Sequence, residues 1–314
     1  MSTEDQSPPV DAAPEVDGET ARGSVDESVM SFFEELERLL EQSYQPPCWN
    51  LPVLDQLTDK LHPKELLVIG GRPSTGKFSL LLQMIDGSPA QNGQRTLLFS
   101  LDSHRTRVAR RWLSRLARVE TRKIRGALMT QDDLTWLTAA ANRLHESRKD
   151  IIIDDTPRQT IGYILDRIRK VHERSGVALA TIDFVQLLET TPGRETREQE
   201  ISLIARSLKA LAHELEIPIV VVSQLNRMST GRDTASNIPR KPVTWDLRDS
   251  GALEDAADTV LLLHRPELYD KYEDWGIVEI NVAKQRHGPK DMVRARFDEA
   301  TGIFRDEPKE DSPG

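Results

Sequence analysis

Only one cysteine, Cys48, occurs in the 314 residues. An intrachain disulfide is therefore excluded, and the usage fits a reducing, cytoplasmic setting. No apolar run approaches the roughly 18 residues that a membrane span requires. The first residues are acidic and contain proline; they lack the basic and apolar regions of an export signal. A soluble protein without a membrane role is expected.

Positive charge is also in short supply, with 42 lysines and arginines against 51 acids. The deficit is confined to the ends. Before Ser31, eight acids face Arg22 alone, and from Asp306 onward four acids face Lys309. What lies between is close to neutral, so an acidic total does not argue against a phosphate-bearing partner. Few apolar residues occur in either end, and segments 1–28 and 306–314 read as disordered tails.

Four segments are expected: the acidic tail 1–28, an amphipathic helix over 29–45, one α/β domain over 46–305, and the tail 306–314. In the helix, Val29, Phe32, Phe33, Leu36, Leu39 and Leu40 recur at helical spacing and form one apolar stripe. From Leu66 short apolar runs alternate with helical stretches, the pattern of a mostly parallel sheet with crossover helices. Strands are expected at Leu66–Ile69, Thr96–Leu101, Ile151–Asp154, Ala178–Asp183, Pro218–Ser223, Thr259–Leu263, Val278–Lys284 and Met292–Asp298. Helices are expected after Lys77, from Arg105, and over Asp132–Glu146, Ile161–Arg174 and Arg197–Leu215. Thr160 is placed to cap the helix from Ile161.

The strongest chemical signal is the run Gly71, Arg72, Pro73, Ser74, Thr75, Gly76, Lys77, between an apolar strand and a helix. In that context backbone amides and a helix N-terminus surround phosphates, and Lys77 reaches the terminal ones. Position 78 should bear a hydroxyl for Mg²⁺, yet it is Phe78. Ser79 is no simple substitute, because one step along a helix turns the side chain by about 100°. Asp183 ends an apolar strand, where a carboxylate can hold Mg²⁺ or its water; it could equally cap a turn. Asp102 ends another, where it could orient an attacking water or cap the arginine-rich helix that follows. In that helix, Arg105, Arg107, Arg110, Arg111, Arg115 and Arg118 read as a solvated face.

The segments ELLVIGGRPSTGK, TLLFSLD, IIIDD, TIDFVQLL, ARSLKALAHELEIPIVVVSQLNR, WDLRDSGALEDAADTVLLLHR and AKQRHGP follow one another in this order. Together they resemble the RecA-like ATPase domain of DnaB-type replicative helicases, superfamily 4, from about Trp49 to Arg305. The resemblance implies a P-loop NTPase that uses ATP and Mg²⁺, works as a ring, expected to be a hexamer, and moves along single-stranded DNA in replication. It assigns Asp183 as the Walker B acid, holding the metal through water, and places Asp102 on the family's catalytic glutamate. Gln224 becomes the polar sensor. Lys284 and Arg286 reach a neighbour's γ-phosphate, and Arg248, Asp249 and Gly251 contact the DNA backbone. The helix at 29–45 resembles the family's linker, which docks on an adjacent subunit. Blander roles remain open: a surface ion pair for Arg248 and Asp249, a strand-end arginine for Arg286, backbone satisfaction for Gln224.

Two departures fall on chemistry, Phe78 and Asp102. They raise the alternative of a catalytically impaired relative that binds nucleotide and DNA and completes the site of an orthodox helicase. A third departure is the lack of room before Val29 for the family's primase-binding helical domain, so primase recruitment by that route is not expected.

Overall fold

The computed structural model describes residues 46–88, 94–147, 150–190, 196–225, 240–247, 251–269 and 274–308, with isolated positions before them. The chain divides into Met1–Tyr44 and Gln45–Gly314. In the first unit the described positions Val25, Val29, Met30, Phe33 and Glu37 are helical. The rest of the expected helix 29–45, most of the tail 1–28 and the end of the tail 306–314 lie outside the described residues.

Among the described residues of the second unit nine strands form one sheet: β1 (Leu66–Gly71), β2 (Arg95–Ser100), β3 (Ile151–Asp154), β4 (Val177–Asp183), β5 (Ile219–Gln224), β6 (Thr259–His264), β7 (Ile277–Gln285), β8 (Met292–Asp298) and β9 (Ile303–Asp306). Their spatial order is β3-β2-β4-β5-β1-β6-β7-β8-β9. The first six of these neighbours pair in parallel; β6 to β9 form an antiparallel meander. The helices are α1 (Pro52–Thr58), α2 (Lys77–Gly87), α3 (Arg105–Ala117), α4 (Thr121–Gly126), α5 (Gln131–Ser147), α6 (Ile161–Ser175), α7 (Arg197–Leu215) and α8 (Gly251–Ala256).

Alternation along β1 divides the core. Leu66 and Val68 pack with Ile164 and Ile168 of α6 and Ile204 and Leu208 of α7. Leu67 and Ile69 face the other way, among Leu81 and Ile85 of α2 and Val108 and Trp112 of α3. Every residue of β1 is buried, as a parallel strand covered on both faces must be. Thr160 caps α6, its side chain accepting from Tyr163 N–H. A reciprocal Thr196–Gln199 capping box starts α7, satisfying two amides that the helix itself cannot.

Asp102 does not cap α3. His104 does, accepting from Thr106 N–H, and Asp155 accepts from Arg105 N–H at 2.8 Å. Nor is the arginine-rich face wholly solvated. Arg115 is buried on the stripe of Val108 and Trp112, ion-paired with Asp86 of α2. Burial pulls its pKa down to about 10. Asp86 also accepts from Trp112 Nε1 at 2.6 Å, so a half-buried acid on a neighbouring helix makes this arginine a core residue.

Candidate functional site: a phosphate cleft at the carboxyl edge

The parallel strands end at a common edge, where open α/β sheets bind ligands. There Pro73, Ser74, Gly76, Lys77 and Phe78 line a cleft of about 380 Å³ together with Asp102, Asp183 and Gln224. Residues far apart in sequence are thus gathered by strand order alone.

The loop between β1 and α2 is held from several sides. Thr75 Oγ1 donates to Arg72 O at 2.8 Å. Lys77 Nζ donates to Gly71 O at 2.7 Å and Arg72 O at 2.8 Å, placing the ammonium inside the loop's curve. Gly76 has φ +93°, and a Cβ there would lie 2.7 Å from Phe304; glycine meets both demands. Phe304 stacks on Phe297 with centroids 4.5 Å apart, forming the floor beneath this turn. Burial lowers the Lys77 pKa to about 8, with Asp183 opposing the shift.

Asp102 and Asp183 meet because β2 and β4 are neighbours. Ser100 pairs with Asp183, and Leu101 N–H donates to Asp183 O at 2.9 Å. Ser100 Oγ donates to Ser103 O at 2.6 Å, tightening the turn that carries Asp102. Burial lifts the Asp183 carboxyl to about 6, Asp102 adds to the lift, and Lys77 and Arg111 oppose it.

That shift has a testable cost. Asp183 titrates near 3.8 when unperturbed and near 6 here, so the folded chain holds the extra proton between those values. Its ionised form therefore destabilises the fold increasingly as pH rises through that window, by on the order of 2–3 kcal/mol at neutral pH. Asp183→Asn is expected to raise the melting temperature of the nucleotide-free chain at pH 7.5 and to leave it unchanged near pH 4. Thermal denaturation at the two pH values checks this.

Phe78 is largely buried in the core layer of α2 and α3, and its ring borders the cleft under Arg111, 5.2 Å from the guanidinium carbon. Position 78 thus contributes a cation-faced aromatic wall and no oxygen. Ser79 also lines the cleft, beside Gly302.

Gln224 does not spend itself on its own strand end. Gln186 serves that end: its Oε1 accepts from Gln224 N–H at 3.2 Å, and its Nε2 donates to Gln224 O at 3.2 Å. Arg265 is a further residue that sequence reasoning missed. It is 4% exposed, ion-paired with Glu267 and Glu299, and donates to Ser74 O at 3.0 Å. A charged residue just beyond the apolar run Val260–Leu263 is the available signal.

Lys284 and Arg286 lie elsewhere. At the end of β7 they occupy the opposite edge of the sheet, beside Asp258, whose N–H donates to Leu66 O at the start of β1. Lys284 Nζ donates to Glu254 O at 2.6 Å, and burial followed by Arg286 lowers its pKa. Arg286 pairs with Asp258 at 3.2 Å yet stays 45% exposed. Asp258 is also bound by Lys209 at 2.6 Å and by Leu66 N–H at 2.8 Å. Gly251 starts α8 and is exposed; Arg248 and Asp249 lie outside the described residues.

No helix among the described residues is long and apolar enough to cross a membrane. No cluster of three or more histidine, cysteine, aspartate or glutamate side chains suited to a metal occurs among them.

The family profile described as "DnaB-like helicase C terminal domain" matches residues 50–306. Replicative DNA helicase DnaB of Leifsonia xyli is 36% identical over 81% of this chain and 54% of its own length. The Haemophilus influenzae protein of the same name is 35% identical over 78% of this chain and 52% of its own. The chain spans about half the length of the curated relatives it matches. Among solved structures, an ATPase domain superposes with TM-score 0.82 at 29% identity, covering 91% of this chain and all of that one. A DnaB-like replicative helicase, studied with its interactions with primase, gives 0.79 at 30% identity, covering 91% of this chain and 68% of that one. With a RecA-like sheet, a phosphate loop at its carboxyl edge and a profile match across both, the chain belongs to the DnaB-like helicase C-terminal domain family.

Proposed function

We propose that the chain is an ATP-driven motor that assembles as a ring, six copies being the expected number, and moves along single-stranded DNA. The observation that carries this reading is the division of charge between two edges. Lys77, Asp102, Asp183 and Gln224 converge in one cleft, whereas Lys284 and Arg286 are fixed at the other end of the sheet. They cannot serve their own cleft. They can serve that of a neighbour in a head-to-tail ring.

Gly71–Lys77 grips the phosphates through backbone amides and the ammonium. The charge of Asp102 acts on Asp183, a pairing that suits a cation, and Asp183 lies within Lys77's field. Mg²⁺ commonly takes one or two carboxylates and fills its shell with phosphate and water oxygens. When bound, the metal would neutralise charge on the phosphate oxygens. Asp102 orients and deprotonates the attacking water. Gln224, at the end of β5, senses the phosphate and transmits to the segment beyond. Arg286, helped by Lys284, stabilises transition-state charge in the adjacent copy. Arg248, Asp249 and Gly251 contact the DNA backbone. The helix over 29–45 docks on the next subunit.

Phe78 favours a second reading: a subunit with weak turnover that completes the site of an active helicase. The two readings separate on ATP hydrolysis by the purified chain with and without single-stranded DNA. DNA-stimulated turnover by the natural chain supports the motor; turnover that appears only after Phe78→Thr and Asp102→Glu supports the regulatory subunit.

A further inference from the structure

The tryptophans of the chain divide into two kinds. Trp49 is fully buried, its indole donating to Thr58 Oγ1 at 2.9 Å, and Trp112 is buried against Asp86. These are core residues. Trp136, Trp245 and Trp275 are exposed; Trp245, at 75%, stands on the short turn Thr244–Asp246, where burial does not account for it.

That turn is not loose. Asp246 is buried and accepts from Val243 N–H at 2.9 Å and from Arg240 Nη1 at 2.8 Å. Directly after it, Leu247 bridges to Leu225 in antiparallel fashion, and both leucines are buried. Leu225 follows Gln224, whose backbone is clamped by Gln186. The indole therefore projects from a support anchored to the strand end that lines the nucleotide cleft. Its entropy of ordering is small, since the backbone beneath it is already fixed.

The surroundings are cationic at the surface and acidic below. Arg240 lies over the Trp245 ring, 5.8 Å from its centroid. Lys241 is 60% exposed above Glu279, which is 7% exposed and pairs with it at 2.7 Å. Asp246 is likewise at 2% beneath Arg240. A ligand approaching this face meets an indole and two cations, with the carboxylates sheltered underneath. Proteins that hold single strands combine these elements, cations along the backbone and aromatic rings under the bases.

We propose that Trp245 is a stacking platform for a base of single-stranded DNA, with Arg240 and Lys241 taking the adjoining phosphates. This deepens the single-strand reading above and rests on it. Backbone contacts alone grip every residue of a strand equally; a base platform beside the strand end of Gln224 gives the motor a foothold that depends on the presence of a base.

Binding of the full chain, with Mg²⁺ and a non-hydrolysable ATP analogue, to oligo(dT) and to an abasic strand of equal length tests this. The natural chain is expected to prefer oligo(dT). Trp245→Ala should weaken oligo(dT) binding about tenfold and leave abasic binding unchanged, while Trp245→Phe retains most of the preference. The melting temperature of both variants should match the natural chain, because the side chain is exposed. Unchanged oligo(dT) binding in Trp245→Ala, or an equal loss on both strands, overturns the platform. If the natural chain binds both strands equally, the platform falls and the single-strand reading stands; if it binds neither, both fall.

Discussion

Arg286→Ala is expected to lower ATP turnover by about 10³–10⁵-fold, and a chain carrying Asp183→Asn should be as inactive, yet mixing the two restores activity. The reason is geometric. Arg286 lies at the opposite sheet edge from Gly71–Lys77, so in the proposed ring each complete site would take its cleft from one copy and its arginine from the next. A site formed by the cleft of an Arg286→Ala copy and the arginine of an Asp183→Asn copy is whole. Random equal mixing makes about one site in four of this kind, and turnover near a quarter of the natural chain is the expected maximum. Hydrolysis measured across mixing ratios checks it. No recovery at any ratio, with assembly intact, would place Arg286 in a structural role beside Asp258.

The second large effect concerns Phe78 and Asp102. Phe78→Thr supplies a hydroxyl where the ring now borders the cleft, and Asp102→Glu extends the carboxylate by one methylene. A displacement of about 1 Å can cost on the order of a hundredfold in rate, so the double variant should turn over at least that much faster than the natural chain. The same substitution should weaken the fold. Phe78 is 9% exposed and packed among the core of α2 and α3, and truncating a buried phenylalanine costs about 3 kcal/mol. Faster turnover with a lower melting temperature is therefore the expected pair of outcomes, read by steady-state kinetics and thermal denaturation. A variant that melts lower without turning over faster would mean that position 78 does not limit the chemistry.

The parts of the fold visible in the sequence are those whose pattern repeats. Leu66–Ile69, Ala178–Asp183 and Pro218–Ser223 are mostly apolar runs because their strands are covered on both faces. Ile161, Ile164, Ile168 and Val171 form a full stripe, and the helix expected over Ile161–Arg174 matches α6 to within a residue. Helices α1, α4 and α8 have seven residues or fewer, too short for a stripe to repeat. Strand β9, Ile303–Asp306, has only four residues and no apolar–polar alternation, and it pairs with β8 across a turn.

Legibility of the site follows the same division. The phosphate loop, Asp102, Asp183 and Gln224 lie at strand ends, so topology brings them together without any knowledge of side-chain contacts. Arg115 and Arg265 are hidden because the burial of a charge depends on a partner distant in sequence: Asp86 for one, Glu299 for the other. Arg115 does fall at helical spacing from Trp112 and Val108, a stripe that a polar reading of the helix passes over. Lys284 and Arg286 are recognised by resemblance, and their distance from the cleft follows only from the antiparallel return of β7.

The most direct measurement is ATP hydrolysis by the natural chain, with Mg²⁺, in the presence and absence of single-stranded DNA. A motor on single strands should hydrolyse ATP, accelerate when DNA is added, and lose both properties on Asp183→Asn. No hydrolysis under either condition, from a folded and assembled chain, would contradict the motor and leave a subunit that lends Arg286 to another's site.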